Sequence, residues 1–260
     1  MPDALHELAD RQLAQAARLH ARWQSTGYSE ERQGLLLTQG ALPLPLMFQN
    51  NVLRLDRGVP PEQVLAQARH FFSASGHPFA VLTQRHLDAD LEQCLAEQGF
   101  QPRGRMVAML LDHLTDAPAP GSGWRIDLAQ TPADIDTFID ICREAYVPLG
   151  VPCTFTPLYF ERREALLGPD VSIALAHDGR GCAGATALVM HTGEVAGVYW
   201  MGTRLAAQGA GLASACVARV SQEALRRGAR AVALHVTAPG VAAYQRLGFQ
   251  PHGHLTRWAR

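Results

Sequence analysis

The sequence predicts an α/β protein, in the finer division α+β, with a central mixed and mostly antiparallel sheet flanked by helices and a second, smaller domain. Three observations predict it. The apolar, β-branched and aromatic run from Val195 to Met201 reads as a buried strand, and a short turn leads from it into a helical segment opened by Gly209, Ala210, Gly211 and Ala213. From residue 124 onward, strand-like and helix-like segments alternate. Residues 115–123, TDAPAPGSG, carry Pro and Gly and no large apolar side chain, so they read as a linker between a first domain at 1–114 and a second at 124–260. A chain of 260 residues has room for two such domains.

In the first domain, Leu5, Leu8, Leu13, Ala16, Leu19 and Trp23 recur at helical spacing over residues 3–25. Residues 34–56 are Leu-rich, broken by Pro43 and Pro45, and read as strands and a turn. Pro60 and Pro61 open a helix through Phe72, with Glu62 in its first turn. A strand at 79–83, a helix at 87–98 closed by Gly99, and a strand at 106–111 complete this half.

In the second domain, residues 124–128 alternate as a strand, and Thr131 caps a helix with Pro132 at its first position. Ile135, Phe138, Ile139, Cys142 and Tyr146 form the buried stripe of that helix. A Pro-rich loop at 147–156 precedes a helix expected over 157–167. Strands follow at 171–176, 183–190 and 195–203, then a helix at 211–227, a strand at 230–237, and a last helix beginning at Gly240.

Composition bounds the function. A hydrophobic fraction of 47% and a charged fraction of 18% are those of a globular protein. A net charge of −1 argues against a nucleic-acid partner. No apolar run approaches membrane-spanning length and the N-terminus is polar, so no membrane association is expected. The odd count of five cysteines, without metal-like spacing, points to reduced thiols, a cytoplasmic location and no metal.

A strand feeding a Gly-rich helix start makes an anion cradle, because the first helical turn has unpaired N–H groups and the positive end of the dipole. A nucleoside-triphosphate loop would end in Gly-Lys-Ser/Thr, but all 23 basic residues of this chain are Arg. A dinucleotide fingerprint would need a third glycine and an acidic residue about 20 positions on, where this chain has Arg-Arg-Gly-Ala-Arg. The run Gln208-Gly-Ala-Gly211-Leu-Ala213 instead resembles motif A of the GCN5-related N-acetyltransferases (GNAT), Gln/Arg-x-x-Gly-x-Gly/Ala. One helix and one strand later, Ala242-Ala-Tyr244-Gln-Arg-Leu-Gly248-Phe249 matches that family's Ala-x-x-Tyr-x-x-x-Gly-Phe pattern. The resemblance is residue-level at these two motifs and topological over the rest of 125–259.

The resemblance implies the GNAT fold and acetyl-CoA as cosubstrate. By register with motif A, Met201, Gly202 and Thr203 hold the pantetheine arm in a gap where the fourth strand splays from the fifth. Gln208, Gly209, Ala210, Gly211, Leu212, Ala213 and Ser214 hold the pyrophosphate, mainly through backbone N–H groups. Arg204 is either a further contact or a solvated surface residue. Thr237 stands where the family often has Asn. Tyr244 stands where the family places the donor of a proton to the departing thiolate. Residues 91–100, LEQCLAEQGF, echo the second motif without its tyrosine, so the first domain is expected to be a degenerate GNAT-like unit without a cofactor site; an unrelated cap is the alternative.

For the base, Glu194 at the mouth of the fourth strand is the candidate, with His191, His235, Tyr199 or a water chain as alternatives. The predicted activity is acetyl transfer to a primary amine by direct transfer in a ternary complex, in a monomer or homodimer. A small amine or amino acid is a better expectation than a protein tail. The loop at 147–156 sets the acceptor, and Tyr146, Phe155, Tyr159 and Trp200 either line an amine pocket or pack in the core. The rival reading is a non-catalytic acyl-CoA sensor or oligomerisation module.

Overall fold

The computed structural model describes residues 2–46, 48–115, 121 and 123–260; most of the expected linker, 116–120 and 122, lies outside the described residues. The first half contributes α1 (Pro2–Arg22), β1 (Tyr28–Arg32), β2 (Leu35–Gln39), β3 (Asn51–Arg54), α2 (Pro61–Ser73), β4 (Ala80–Gln84), α3 (Ala89–Glu97) and β5 (Gln101–Leu111). The second contributes β6 (Trp124–Leu128), α4 (Pro132–Tyr146), α5 (Phe155–Tyr159), β7 (Val171–Asp178), β8 (Ala183–Met190), β9 (Val195–Thr203), α6 (Leu212–Arg226), β10 (Ala231–Val236), α7 (Val241–Gln245) and β11 (Gln250–Ala259).

All the strands join one eleven-stranded sheet in the order β1-β2-β3-β4-β11-β5-β10-β9-β8-β7-β6. The order shows an exchange. β11, at the end of the second half, lies between β4 and β5, while β5, from the first half, lies between β11 and β10. Pairing is antiparallel except for β3 with β4 and β9 with β10, each a parallel pair joined through a helix. The series β-β-β-α-β-α-β therefore occurs twice, with its last strands swapped across the centre of the sheet.

One expected element differs and one strand was not expected. The helix expected over 157–167 is α5 followed by a separate 3-10 turn at Arg163–Leu167. Tyr159 and Phe160 are both buried, and Phe160 leaves helical geometry at φ −106°, ψ 39°, which lets adjacent aromatic rings both reach the core. Strand β1, YSEER, carries no apolar stripe to reveal it; it is an exposed edge strand whose charges discourage further pairing. The start of α4 is as expected: Thr131 and Asp134 form a reciprocal capping box worth about 1 kcal/mol.

The two β-α-β units differ at the helix start. At the start of α2 stand Pro60, its N-cap, and Pro61, its first residue, which have no N–H to offer an anion. The buried Arg54 guanidinium fills this region, bonding Asp88 at 3.1 Å, Asp90 at 2.6 and 2.8 Å, and the Val59 carbonyl at 3.3 Å. Arg54 pulls the Asp90 carboxyl down to about 2, whereas burial pushes Asp88 up.

Candidate active site

The site lies where β9 and β10 part. Their parallel ladder runs from Val195↔Ala231 to Val198↔Leu234 and then stops, although β10 continues to Val236 on its β5 side. The cause is in β9. Its register with β8 shifts between Leu188↔Tyr199 and Thr186↔Gly202, and Trp200 takes a positive φ of 53°. Such a bulge bends the strand and re-aims its side chains. Trp200 is held in this geometry by its Nε1–H, which donates to His20 Nε2 at 3.2 Å, and by packing on Phe160 and Tyr146.

On one side of the gap is the start of α6. Gly211, its N-cap, has φ 72° and Gly209 has φ 82°, conformations that only glycine adopts without strain. A Cβ at either position would meet open space. No described residue accepts a backbone hydrogen bond from the N–H groups of 209–214; the first helical bond is Ala215 N–H to Gly211 O at 3.1 Å. Gln208, Gly209, Ala210 and Gly211 are exposed, while the side chain of Leu212 is buried and anchors the helix start. Ala213 and Ser214 are half-buried in the first turn. A row of free N–H groups at the positive end of a fifteen-residue helix fits a pyrophosphate.

Of the residues expected along the gap, Gly202 and Thr203 pair with Thr186 and Ala185 of β8, and Met201 is the hinge between the two sides. Its side chain packs with the α6-side core that contains Tyr244, and it also lines a cavity on the α1 side. Its carbonyl accepts from the Tyr146 hydroxyl at 3.2 Å. Thr237, exposed at the end of β10, lines the same cavity. Tyr244 stands on α7 on the α6 side, not in the cavity wall; burial first, then the neighbouring Cys216, pushes its phenol up to about 12. Arg204 is tied to Glu144 and to the Ala183 carbonyl, so it is a structural link rather than part of the cradle.

The structure overturns the assignment of Glu194. It precedes β9 at the end opposite the bulge, seven residues from Met201, or roughly 20 Å along a strand. There it is exposed and bonded to Arg230 at 2.6 Å. A strand carries its two ends to opposite edges of the sheet, so a residue at its beginning cannot serve chemistry at its close. His191 is at that far end too, 2.9 Å from Ser172 Oγ. Tyr199 and His235 are in the cavity wall. The Tyr199 hydroxyl is engaged by Gln12 at 2.8 Å, but His235 Nδ1 has no partner among the described residues.

The cavity, about 320 Å³, is built by both halves. The second supplies Tyr146, Phe155, Trp200 and Met201, with Leu149 and Val151 from the 147–156 loop. The first supplies His20, Phe48 and Met106, and the exchanged β11 adds Leu255 and Arg257. Tyr159, by contrast, is core. Sequence reading missed His20, which α1 brings across from the first half, and Met106, Leu255 and Arg257, which the strand exchange brings here. Among the described residues no His, Cys, Asp and Glu group could hold a metal, and no helix is long and apolar enough to cross a membrane.

Three imidazoles near the site are neutral in the fold. Burial lowers His20 and His235 to about 3 and His252 to about 4. In the unfolded chain each takes a proton near 6.5, so below that pH the unfolded state binds more protons. Stability is therefore full above about pH 6.5 and is lost as the pH falls toward 4. At pH 5 the fully buried His20 contributes a loss of about 2 kcal/mol. Discounting the other two by half for their accessible edges, the sum is on the order of 4 kcal/mol, much of a typical net stability. Urea midpoints should drop steeply from pH 7.5 to 5; a flat profile would mean that these rings gain protons without unfolding.

Comparisons with known proteins agree with this geometry. Residues 136–249 match the Acetyltransferase (GNAT) family. A search of curated proteins finds no match. Among solved structures, the chain resembles a GCN5-related N-acetyltransferase from Kribbella flavida, with a TM-score of 0.72 and 20% identity over 96% of this chain and 94% of that one. A GCN5-related N-acetyltransferase from Sphaerobacter thermophilus gives 0.66 and 18%, over 92% and 83%. A tandem GNAT protein from the clavulanic acid biosynthesis pathway gives 0.63 and 15%, over 96% and 95%. At these identities the likeness is one of fold.

Proposed function

We propose that the protein, whose residues 136–249 match the Acetyltransferase (GNAT) family, transfers an acetyl group from acetyl-CoA to a primary amine. The observation that carries the reading is the continuity of three features: the six N–H groups at 209–214 that have no acceptor among the described residues, the gap beyond Val198 and Leu234, and the cavity that opens from the gap at Met201. Acetyl-CoA supplies an activated thioester. Backbone N–H groups at 209–214 bind its pyrophosphate, and Met201, Gly202 and Thr203 flank the arm, with Thr237 opposite. The amine enters through the cavity, so donor and acceptor are held together and the acetyl group passes directly between them.

The proton balance is simple. The amine nitrogen gains the carbonyl carbon and loses a proton; the thiolate leaves and gains one. Tyr244 donates a hydrogen bond that strengthens as negative charge gathers on sulfur. A phenol raised to about 12 keeps its proton at neutral pH, as a donor must. His235, held near 3 by burial, is too weak a base to take the amine's proton; its Nδ1, without a partner among the described residues, can instead orient a water that passes that proton to solvent.

The first half is proposed to be the cofactor-less repeat. Pro60 and Pro61 remove the N–H donors, and the Arg54 network occupies the region beside them. Calorimetry with acetyl-CoA should therefore give one site per chain, and thiol release should follow on adding an amine acceptor. Two sites per chain would overturn the reading of the first half. Binding with no release from any amine would favour the sensor instead.

A further inference from the structure

The cavity wall has an imbalance of charge. Among the described residues no Asp or Glu lines it, yet two arginines do, the exposed Arg105 at the rim and the half-buried Arg257. Arg257 lies on β11 two residues beyond Leu255, so the alternation of the strand puts both side chains on the cavity face. Its register partner is Gly104, and the guanidinium lies over that glycine: a Cβ at 104 would come within 4.0 Å of Arg257 Nε.

The guanidinium is fixed by main-chain carbonyls. Nη1 donates to Pro45 O at 2.5 Å and Nη2 to Arg103 O at 3.1 Å. Those bonds use two of its five N–H donors and hold its plane, leaving others for a ligand. No described carboxylate pairs with it, whereas Arg54, Arg204 and Arg230 each have one. Burial, followed by repulsion from Arg103, lowers its pKa. A half-buried cation without a counter-ion is costly to hold, and a ligand anion would relieve that cost. A carboxylate matches a guanidinium in both geometry and charge, and the remaining wall, Leu46, Phe48, Met106, Phe155 and Leu255, suits an apolar body.

On the basis of the acyltransferase reading, we propose that the acceptor is an apolar amine that also carries a carboxylate, of the amino-acid class, with Arg257 binding the carboxylate and the amine turned toward Trp200 and Met201. The same charge disfavours polyamines and lysine side chains, whose cations would meet an uncompensated guanidinium.

The test compares free amino acids with apolar side chains (leucine, methionine, phenylalanine) with their C-terminal amides, which keep the amine and lose the anion. Binding to the full-length protein in the presence of coenzyme A is measured by calorimetry, and thiol release is measured with acetyl-CoA. At least one acid should bind about tenfold or more tightly than its amide. Arg257→Gln should bring that ratio near one, chiefly through KM, with acetyl-CoA affinity unchanged. Arg257→Lys, which keeps charge without the fork, should retain part of the preference and serves if the Gln variant fails to fold. Loss of the carbonyl bonds alone would weaken acid and amide alike, so the ratio separates recognition from structure. Equal or tighter binding of every amide, an intact preference in Arg257→Gln, a preference for phosphorylated amines, or no binding of any acid at millimolar concentration would each overturn the proposal. Acid-selective binding without thiol release would leave the Arg257 assignment standing and remove the acyltransferase reading.

Discussion

Replacing Gly211 by Trp should abolish measurable acetyl-CoA binding, a loss of at least about a hundredfold, while leaving the protein folded. Two effects add. The residue sits at φ 72°, where a bulky L side chain costs roughly 1–2 kcal/mol. The indole would also project into the open space before the N–H groups of 209–214, where nothing lies within 4 Å of the glycine's missing Cβ. Since that space is empty, the substitution strains one turn and displaces no core atom. Gly211→Ala separates the contributions: its methyl group meets nothing, so only the backbone strain remains, and binding should weaken by about tenfold or less. Calorimetry with acetyl-CoA, beside a thermal melt for each variant, reads both. Unchanged binding in the Trp variant would mean that the helix start is not the phosphate cradle.

How far the site can be read without coordinates depends on whether its parts are local. The proposed cradle is local: Gln208–Ser214 is a contiguous stretch of glycines and small residues, and it spans the start of α6. Tyr244 is local in the same sense, set by its spacing to Gly248 and Phe249. Glu194 was misplaced because proximity in sequence to β9 says nothing about which end of a strand faces the chemistry. The acceptor cavity was invisible for a stronger reason. His20 arrives on α1, Met106 on a strand given by the first half to the second, and Arg257 on a strand given back. No periodicity encodes an exchange of terminal strands between two similar units, because each strand alternates identically wherever it pairs. The edge strand β1 escaped notice because its residues are chosen for solvent rather than for core.

Replacing Tyr244 by Phe should lower turnover by roughly a hundredfold or more, within the range for a positioned proton donor, with acetyl-CoA affinity unchanged within about twofold. The ring is buried beside Phe249 and the α6 core, and Phe preserves that packing. The hydroxyl, with burial and Cys216 acting on its pKa, has no hydrogen bond to a described residue to lose in the resting state. Its contribution therefore comes when charge develops on sulfur, which is the condition for an effect on kcat rather than on binding. A thiol has a pKa near 8.5 and this phenol about 12, so complete proton transfer is uphill by roughly 5 kcal/mol. The larger part of the effect should thus be a strengthened hydrogen bond, followed by restoration of the proton from solvent. Tyr146 cannot substitute, since its hydroxyl is committed to the Met201 carbonyl at 3.2 Å, and Tyr146→Phe should cost less than Tyr244→Phe. The pH profile adds a second check: a donor held near 12 predicts no fall in wild-type kcat from its own ionisation up to about pH 10. Wild-type turnover in Tyr244→Phe would show that water protonates the thiolate and that the tyrosine only packs.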